Sequence, residues 1–414
     1  MSDDYARSRR RQAEAELSST AVGRATAIGL VATIAATLLS VPLIDGASGS
    51  ATSWLGIVRD GVTDALAAPP GLAANRALQQ AIEEAESRLE DDSRVAAKVR
   101  PWAQAGLTAL LGAGNEEAYP GAARSLFYRP DVDYAIGRGF LEPRVLAARI
   151  DSPRPWEPTI SPDPVAALVD FDRRLRDRGI HLIVVPVPVK PTLAPQLFAG
   201  ADAVPPIHNE SFPTFLGQLA DKGIDTLDPT ATLVEQEDAF LATDTHWTPA
   251  GMEAVAAALA AHIDALDLTR GRLQLSTLRP TPITATGDIV RLLDLPETSQ
   301  RYPDQTVTTQ RVEVRGRAWR PDRSATILLL GDSFANIYSD PSLGWGASAG
   351  LAEHLSHHLR RPVDRIAVNA GGAHEARRRL AMDGGRLEGK RVVIYEFSVR
   401  ELTSGNWPLI EIGE

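Results

Sequence analysis

Short apolar runs alternate with amphipathic stretches along the C-terminal part of the chain, and this alternation limits the folds that the sequence can adopt. Residues 180–187 and 325–330 are almost uninterrupted apolar runs, which are typical of strands covered on both faces. Residues 165–178 and 249–263 have apolar side chains at helical spacing. The pattern predicts an α/β fold over residues 119–414, with a parallel sheet flanked by helices.

Further elements follow the same alternation. The predicted strands are residues 224–228, 365–368 and 391–397, and the predicted helices are residues 212–222, 348–359 and 375–382. Residues 269–323 interrupt the alternation with several short β-like pieces. We therefore interpret this segment as an irregular β-like insertion into the domain.

The most informative motif follows the apolar run at residues 325–330. Gly331 ends that predicted strand, and Asp332-Ser333-Phe334 leads into a predicted helix. A serine in this position is presented at the edge of the sheet, and its hydroxyl becomes a nucleophile when a base accepts its proton. The backbone N–H of Phe334 opens the helix and is a candidate oxyanion donor. The alternative is that Ser333 only caps the helix.

A second motif, Asp244-Thr245-His246-Trp247, supplies a base and an acid. His246 lies in a polar turn before a predicted helix and is the candidate general base. Asp244 reaches the imidazole if the turn folds back, and would then orient the ring and stabilise its charged form. The alternatives are a solvated loop histidine and an Asx-turn aspartate. Each motif is common alone, so the prediction of a serine–histidine–aspartate site rests on their combination.

Polar residues also follow two other predicted strands. Asn369 and Gly371 come after one of them, and Arg400 comes after the next. Because ligands bind at the carboxyl ends of parallel strands, we expect these residues beside Ser333. Asn369 and Arg400 are candidate substrate contacts, and Gly371 is a candidate backbone donor. The alternatives are turn chemistry for Asn369 and Gly371 and an ion pair between Arg400 and a neighbouring glutamate.

Lys190 and Trp247 are further candidates for substrate contacts. Lys190 follows the predicted strand at residues 180–187 and either meets an anionic substrate group or is a solvated loop lysine. Trp247 adjoins His246 and either stacks on a sugar ring or packs beneath the site. The sequence has no cluster with convincing metal-ligand spacing and no Gly-rich phosphate loop. It therefore predicts neither a metal nor a cofactor.

The composition narrows the class of protein. The chain has 414 residues, a formal net charge of -10 and no cysteine. The length suits one large domain with appendages or two domains. The negative charge disfavours nucleic acid and anionic lipid as partners. The lack of cysteine excludes disulfides and thiolate metal sites and leaves the compartment open.

The N-terminal residues predict a membrane anchor. Residues 25–44 contain no charged side chain, and a helix of this length spans a bilayer core of roughly 30 Å. The arginines that precede this run predict a cytoplasmic tail at residues 1–20, an anchor at residues 21–46 and the remainder outside the cytoplasm. A cleaved signal peptide and a buried soluble helix are the alternatives, and the length of the apolar run argues against the signal peptide.

Residues 47–118 are rich in alanine and have helical periodicity, for example at Leu78, Ile82, Ala85 and Leu89. We interpret them as a helical stalk or linker that holds a catalytic domain at residues 119–414 away from the membrane. A role in docking a partner is the alternative interpretation.

Both motifs resemble those of a known family. The stretches at residues 244–249 and 331–334 resemble the alginate O-acetyltransferases of the AlgJ/AlgX group, which are SGNH-hydrolase-like proteins. Three further stretches are similar to strand motifs of that family, namely residues 126–131, 184–190 and 393–401. The resemblance therefore covers residues 119–410. The Asp-His pair precedes the serine here, whereas ordinary SGNH hydrolases have the opposite order. The segment around Arg400 stands where those hydrolases have a Gly-Asn-Asp block.

This resemblance implies a fold, an activity and a partner. The fold is an SGNH-hydrolase-like parallel sheet flanked by helices, preceded by the transmembrane helix and the stalk. The activity is acetyl transfer to hydroxyls of an exported or cell-surface polysaccharide outside the inner membrane. Ser333 would be the nucleophile, His246 the base and Asp244 its partner. A separate multipass membrane protein would supply the acetyl group.

Two other functions fit the same residues. An esterase on this scaffold would use water in place of the sugar hydroxyl, with an identical triad. A non-catalytic assembly protein that binds glycan or partner proteins would not depend on Ser333. The sequence leaves open the glycan, the acetylated hydroxyl, the acetyl donor and the oligomeric state.

Overall fold

The computed structural model of the protein describes residues 28–29, 31–32, 44, 52–69, 71–91, 93–150, 159–199, 205–268 and 272–412. The chain divides into two compact units, Met1–Pro101 and Trp102–Glu414. Within the described ranges, none of the helices has the length and apolar character needed to span a bilayer. The predicted tail at residues 1–20 and nearly all of the predicted anchor at residues 21–46 lie outside the described residues.

The described part of the first unit is helical. Its helices are α1 (Thr52–Ala67), α2 (Leu72–Asp91) and the first part of α3 (Arg94–Leu111). A Cβ at Gly61 in α1 would collide with the Cβ of Ala81 in α2. Ala81 and Ala85 are buried, so small side chains allow these two helices to approach closely. The stalk role of residues 47–118 stays a prediction.

The second unit contains the remaining elements. Its further helices are α4 (Arg129–Ile136), α5 (Pro143–Ile150), α6 (Pro164–Arg176), α7 (Lys190–Leu193), α8 (Pro195–Ala199), α9 (Phe212–Asp221), α10 (Thr230–Val234), α11 (Pro249–Ala265), α12 (Asp288–Leu292), α13 (Ser333–Asn336), α14 (Leu351–Leu359), α15 (Glu375–Met382) and α16 (Glu401–Ser404). Its strands are β1 (Ala118–Pro120), β2 (Leu126–Tyr128), β3 (His181–Val187), β4 (Asp225–Thr226), β5 (Thr277–Ala285), β6 (Gln305–Val314), β7 (Arg317–Ala318), β8 (Ile327–Gly331), β9 (Asp364–Ala367) and β10 (Val392–Ser398).

Five parallel strands form the central sheet in the order β4-β3-β10-β8-β9. β10 is the last strand in the sequence but lies at the centre, where Ile394 is opposite Ile183 of β3 and Leu329 of β8. The carboxyl ends of β3, β8, β9 and β10 therefore meet along one edge, where open α/β sheets bind ligands. The sheet and its flanking helices agree with the fold predicted from the sequence.

Side chains of the central strands alternate between two buried layers. On one face, Ile183 and Ile394 pack with α11 and α14, and on the other face Val184 and Val393 pack with α6, α9 and α15. All four side chains are completely buried. Burial on both faces explains why these strands are continuous apolar runs in the sequence.

The segment predicted as an irregular insertion, residues 269–323, is ordered over its described part. β5, β6 and β7 form an antiparallel sheet in which Thr277 is opposite Glu313 and Ala285 is opposite Gln305. β5 is largely exposed, so its sequence has no apolar run to mark it as a strand. The loop that connects β5 to β6 contains α12, which contributes to the candidate site described below.

The compact second unit begins at Trp102, before the boundary predicted at residue 119. Buried polar side chains join the end of α3 to the loop that follows it. Thr108 donates to the carbonyl of Ala113 at 2.8 Å, and Gln104 donates to the hydroxyl of Thr108 at 2.9 Å. Such contacts are not visible in a sequence pattern, and the start of the catalytic domain at residue 119 stays a prediction.

A buried ion cluster holds the edge strand β9 to the sheet. Asp364 is completely buried and accepts two hydrogen bonds from Arg386, both at 2.7 Å. The ammonium of Lys390 lies 3.0 Å from the same carboxylate and also donates to the carbonyls of Arg323 and Ala325. The cluster satisfies each charge with an opposite charge and with backbone acceptors.

Removal of one cluster member is expected to be far more destabilising than removal of an exposed pair. Lys390→Met leaves buried acceptors unsatisfied and should lower the free energy of unfolding by about 3–5 kcal/mol. Arg323→Ala removes only the exposed ion pair with Asp383 and should cost less than about 1 kcal/mol. Urea denaturation followed by tryptophan fluorescence measures the free energy of unfolding of both variants. Equal midpoints for the two variants would contradict this account of the cluster.

Candidate active site

Asp332 ties the serine-bearing turn to the central sheet. It lies between Gly331, the last residue of β8, and Ser333, the first residue of α13. Its Oδ1 accepts the N–H of Phe334 at 2.7 Å, and its Oδ2 accepts the N–H of Ser398 at the end of β10 at 3.0 Å. The first bond caps the helix and the second fixes the cap to the neighbouring strand. Ser333 is therefore held at the carboxyl edge of the sheet.

Glu396 supports Asp332 from within β10. Its Oε2 accepts the N–H of Asp332 at 3.1 Å, and its Oε1 has no hydrogen-bond partner among the described residues. Burial raises the pKa of Glu396 well above its usual range, and the charge of Asp332 raises it further. A protonated Glu396 beside Asp332 avoids two adjacent buried negative charges.

The turn that carries His246 brings the aspartate back to the imidazole. The N–H of Leu241 donates to the carbonyl of His246 at 3.0 Å and closes the turn. Asp244 Oδ1 accepts the backbone N–H of His246 at 3.1 Å and lies 2.6 Å from the ring Nδ1. The Asx-type turn and the acid–base contact, which the sequence offered as alternatives, are thus made by the same carboxylate oxygen.

His246 joins the two sequence motifs. Its Nε2 lies 2.8 Å from Oγ of Ser333, and its Nδ1 faces Asp244. With the Nδ1 proton directed at the carboxylate, the Nε2 lone pair faces the serine hydroxyl and can accept its proton. Asp244 and His246 are 1% and 4% exposed, whereas Ser333 is half-buried. The acid and the base are shielded from water while the hydroxyl remains accessible.

The charges around His246 favour its protonated form. Burial lowers the pKa of His246, but the Asp244 carboxylate outweighs burial, so the pKa is raised above its ordinary value. Burial raises the pKa of Asp244, but the charge of His246 and the hydrogen bonds that the carboxylate accepts hold it below its usual range. Asp288 raises the pKa of His246 further, and Arg400 lowers it. The site therefore stabilises an imidazolium beside an ionised aspartate.

Two residues that the sequence did not single out hold the acid in place. Trp345 Nε1 donates to Asp244 Oδ2 at 2.9 Å, and the N–H of Asp288 donates to the same oxygen at 3.0 Å. Trp345 is completely buried, and Asp288 begins α12 in the segment interpreted as an insertion. Both are distant from Asp244 in the sequence and belong to no motif with it, so no local pattern identifies them.

Aromatic side chains pack against the imidazole. The ring centroid of Phe334 lies 4.8 Å from that of His246 and 5.3 Å from that of Trp247. Trp247 is completely buried, and its Nε1 donates to the carbonyl of Phe334 at 3.1 Å. Trp247 therefore packs beneath the site, the second of its two predicted roles, and is not available to stack on a sugar.

Arg400 lies beside Phe334 after the end of β10. Its guanidinium is 5.6 Å from the ring centroid of Phe334 and 5.5 Å from that of Tyr128. It donates to Asp131 Oδ1 at 2.9 Å, so the predicted ion pair exists with Asp131 in place of a neighbouring glutamate. A guanidinium has several N–H donors, and this single bond leaves others for a ligand.

The structure places Lys190 inside the protein, which corrects both predictions for it. Its side chain is buried, and its Nζ donates to the carbonyls of Leu126 at 2.8 Å and Ala242 at 3.2 Å. Lys190 thereby joins β2 to the turn that carries His246. Burial lowers the pKa of Lys190 to about 8, although Asp244 and other carboxylates raise it. The prediction failed because lysines that follow strands are mostly exposed, and the burial of this one depends on distant segments.

The predicted oxyanion donors Phe334 and Gly371 and the predicted substrate contact Asn369 have partners or packing roles of their own. The N–H of Phe334 donates to Asp332 and is not free for an oxyanion. Asn369 accepts from Nδ2 of Asn336 at 3.1 Å and donates to Asp340 at 2.8 Å. Gly371 lies in the same turn as Asn369, where a Cβ would press against Glu375, so close packing alone accounts for this glycine.

A groove of about 930 Å³ begins at Asn336, one helical turn after Ser333. Ser333 itself is not among the residues that line this groove. Its lining mixes apolar side chains with polar ones, which include Asn336, Asp340, Arg365, Glu375, Arg378 and Arg379. Its arginines are paired with carboxylates, for example Arg365 with Glu353 at 3.2 Å.

One group among the described residues has spacing that a cation could use. It consists of Asp244, His246 and Asp288, whose nearest polar atoms lie within 4.8 Å of one another. Hydrogen bonds account for this arrangement without an ion. Asp244 Oδ2 accepts from Trp345 and Asp288, and the Asp288 carboxylate accepts the N–H and the hydroxyl of Thr245. We therefore interpret the group as acid–base machinery.

Comparisons with known proteins show which family the chain resembles. The family model of the SGNH hydrolase-like domain of acetyltransferase AlgX matches residues 154–399. The probable alginate O-acetylase AlgJ of Pseudomonas syringae is 26% identical over 256 residues, which are 59% of this chain and 63% of that protein. The same-named protein of Pseudomonas aeruginosa is 36% identical over 94 residues, which are 22% of this chain and 24% of that protein. The matches thus span less than two thirds of the length of these relatives.

A solved structure shares the fold. The O-acetyltransferase domain of Pseudomonas putida AlgJ superposes with a TM-score of 0.54 at 18% sequence identity, over 70% of this chain and 93% of that chain. The family model covers more than half of the chain and includes His246 and Ser333. The chain therefore belongs to the family of the SGNH hydrolase-like domain of acetyltransferase AlgX.

Proposed function

We propose that this protein is an O-acetyltransferase that passes an acetyl group through Ser333 to a hydroxyl of a polysaccharide. One observation carries the proposal: His246 Nε2 lies 2.8 Å from Ser333 Oγ, with Asp244 on the other ring nitrogen. Family membership supports acetyl transfer as the reaction. The AlgJ relatives, named as probable alginate O-acetylases, support a polysaccharide as the acceptor.

In the first half-reaction, His246 Nε2 accepts the proton of the Ser333 hydroxyl while Oγ attacks the carbonyl carbon of an acetyl ester. Asp244 stabilises the imidazolium that forms. The imidazolium then gives its proton to the leaving oxygen, and Ser333 carries the acetyl group as an ester. The pKa directions described above agree with these roles, because they favour an ionised acid and a stabilised imidazolium.

The charge that develops on the carbonyl oxygen requires donors close to Ser333. The N–H of Ser333 lies at the first position of α13, where a helix offers it no acceptor. The Arg400 guanidinium packs over the adjacent Phe334 and supplies a positive charge nearby. We assign the oxyanion to these two groups, because the N–H of Phe334 is bound to Asp332.

In the second half-reaction, a sugar hydroxyl takes the place of the leaving group. His246 Nε2 accepts the hydroxyl proton as the sugar oxygen attacks the acetyl carbonyl, and the proton returns to Ser333 Oγ. We place the acceptor in the groove that starts at Asn336. Polar side chains that line this groove, such as Asp340 and Arg378, can bind sugar hydroxyls.

We further propose that residues 21–46 anchor the protein in the cell membrane, with residues 1–20 in the cytoplasm and the catalytic domain in the periplasm. The uncharged run at residues 25–44 and the arginines before it support this orientation. A separate multipass membrane protein would then deliver the acetyl group. Recovery of the full-length chain in the soluble fraction of cells would argue against the anchor.

The nucleophile can be identified with an activated acetyl ester. Incubation with p-nitrophenyl acetate is expected to place one acetyl group on the peptide that contains Ser333, as detected by mass spectrometry. Ser333→Ala should abolish this adduct, and His246→Ala should slow its formation by about 10⁴-fold because the hydroxyl loses its base. Ser324→Ala, at an exposed serine, is the matched control. Acylation of Ser333→Ala at the wild-type rate would falsify the assignment.

The rate of acylation is expected to fall as the pH is lowered, because only neutral His246 accepts the serine proton. Burial lowers the pKa of His246, as does Arg400, but Asp244 and Asp288 together raise it above the ordinary value of 6.5, so half of the rate should be lost at a pH above 6.5. Asp244→Asn removes the largest raising charge and should shift the midpoint downward. Stopped-flow detection of p-nitrophenol release measures both midpoints. A wild-type midpoint below 6.5 is incompatible with this electrostatic arrangement.

The fate of the acetyl group distinguishes a transferase from an esterase. With p-nitrophenyl acetate as donor, added neutral and uronate oligosaccharides are expected to become acetylated and to reduce the yield of free acetate. Complete release of acetate to water with every acceptor would show an esterase instead. In cells, unchanged polymer acetylation in a Ser333→Ala strain would favour the non-catalytic assembly role.

A further inference from the structure

A second carboxylate lies beside the candidate base. Asp288 Oδ2 is 3.8 Å from Nδ1 of His246, the nitrogen that already faces Asp244 at 2.6 Å. Asp288 is the first residue of α12, and its backbone N–H donates to Asp244 Oδ2 at 3.0 Å. The two acids are therefore connected to each other as well as to the imidazole.

The side chain of Asp288 is held by the residue next to the base. Its Oδ1 accepts the N–H of Thr245 at 2.8 Å, and its Oδ2 accepts the Thr245 hydroxyl at 2.7 Å. That hydroxyl lies 3.1 Å from Nδ1 of His246. Because the Thr245 hydroxyl donates its proton to Asp288, the lone pairs of the hydroxyl oxygen face the proton on Nδ1 of His246. Nδ1 thus lies among three oxygens, which belong to Asp244, Thr245 and Asp288.

The two carboxylates differ in their access to solvent. The Asp244 side chain is 1% exposed, whereas that of Asp288 is 28% exposed. Burial and the charge of Asp244 both raise the pKa of Asp288, while His246 and the bonds from Thr245 lower it. The charge of Arg400 lowers the pKa of His246. Lys190 lies within electrostatic range of both carboxylates, which raise its pKa. An acid with solvent access and an adjacent imidazole can ionise when the imidazole becomes charged.

We propose that Asp288 is a positioning residue of the acyl-transfer site, which fixes the base-bearing turn through Thr245 and serves as a second anion for the His246 imidazolium. This inference rests on the function proposed above. Asp288 takes over part of the role of Asp244 when that carboxylate is neutralised, because its Oδ2 already lies 3.8 Å from Nδ1. The base is thus supported by two acids that come from separate parts of the chain.

The proposal predicts a defined pattern of rates. Asp288→Asn is expected to slow the acylation of Ser333 by p-nitrophenyl acetate about 10-fold, the effect of roughly one pKa unit of imidazolium stabilisation. Asp244→Asn should keep measurable activity that depends on Asp288. The double variant should be slower than Asp244→Asn by more than the factor that Asp288→Asn alone produces. Asp294→Asn, in the loop that follows the same short helix, is the matched control and should match wild type.

A titration separates the electrostatic role from a purely structural one. In the full chain labelled with ¹⁵N-histidine, Asp288→Asn should lower the pKa of His246 as measured by NMR. Thr245→Val removes the hydroxyl bond but keeps both charges, so it should slow acylation while it leaves that pKa close to wild type. An unchanged His246 pKa in Asp288→Asn would overturn the second-anion role, and so would a double variant no slower than Asp244→Asn.

The titration also separates this proposal from the proposed function. If no acetyl group appears on Ser333 in the wild-type protein, the acyl-transfer function fails. The NMR titration still decides whether Asp288 acts on His246, since it requires no turnover. A lowered pKa with normal acylation would support the electrostatic contact and reject its role in the reaction.

Discussion

The two hydrogen bonds accepted by Asp332 are the interaction on which the rest of the site depends. One oxygen caps the helix that begins at Ser333, and the other binds the N–H of Ser398 in the central strand β10. The position of the hydroxyl is therefore set by the register of two adjacent parallel strands and not by a flexible loop. A serine fixed in this way meets His246 only if the turn that carries the histidine is brought to it. The turn that contains His246 reaches Ser333 because Thr248 caps α11 and the turn closes on Leu241.

The sequence predicted the elements that depend on local pattern. Residues 180–187 and 325–330 are continuous apolar runs because both faces of these strands are buried. A run of apolar residues in the sequence is enough to indicate burial on both faces. Asp244 and His246 were found because their contact spans only two residues. Asp288 and Trp345 also contact the acid, but they come from distant segments with no shared spacing. Their roles depend on hydrogen bonds between distant segments, and such bonds leave no periodic pattern in the sequence.

Two errors of prediction have the same physical origin. Lys190 was expected near solvent, and the N–H of Phe334 was expected to be free for an oxyanion. Each donor instead found an acceptor that only the fold supplies, the carbonyls of Leu126 and Ala242 for the lysine and the Asp332 carboxylate for the amide. A buried donor without an acceptor is costly, so a packed site leaves few donors unused. A donor predicted from sequence is therefore a weaker inference than a predicted nucleophile or base.

Under the proposed function, the burial of Lys190 has a chemical consequence, because a free amine can accept an acetyl group. An amine whose pKa is lowered to about 8 is substantially neutral near that pH and is a good acyl acceptor. Amide formation from such an amine would be irreversible and would inactivate the protein. Lys190 is buried and its Nζ donates to two backbone carbonyls, so the nitrogen is not exposed to an acyl donor. The contacts that secure the turn therefore also keep this amine away from acyl donors in solution.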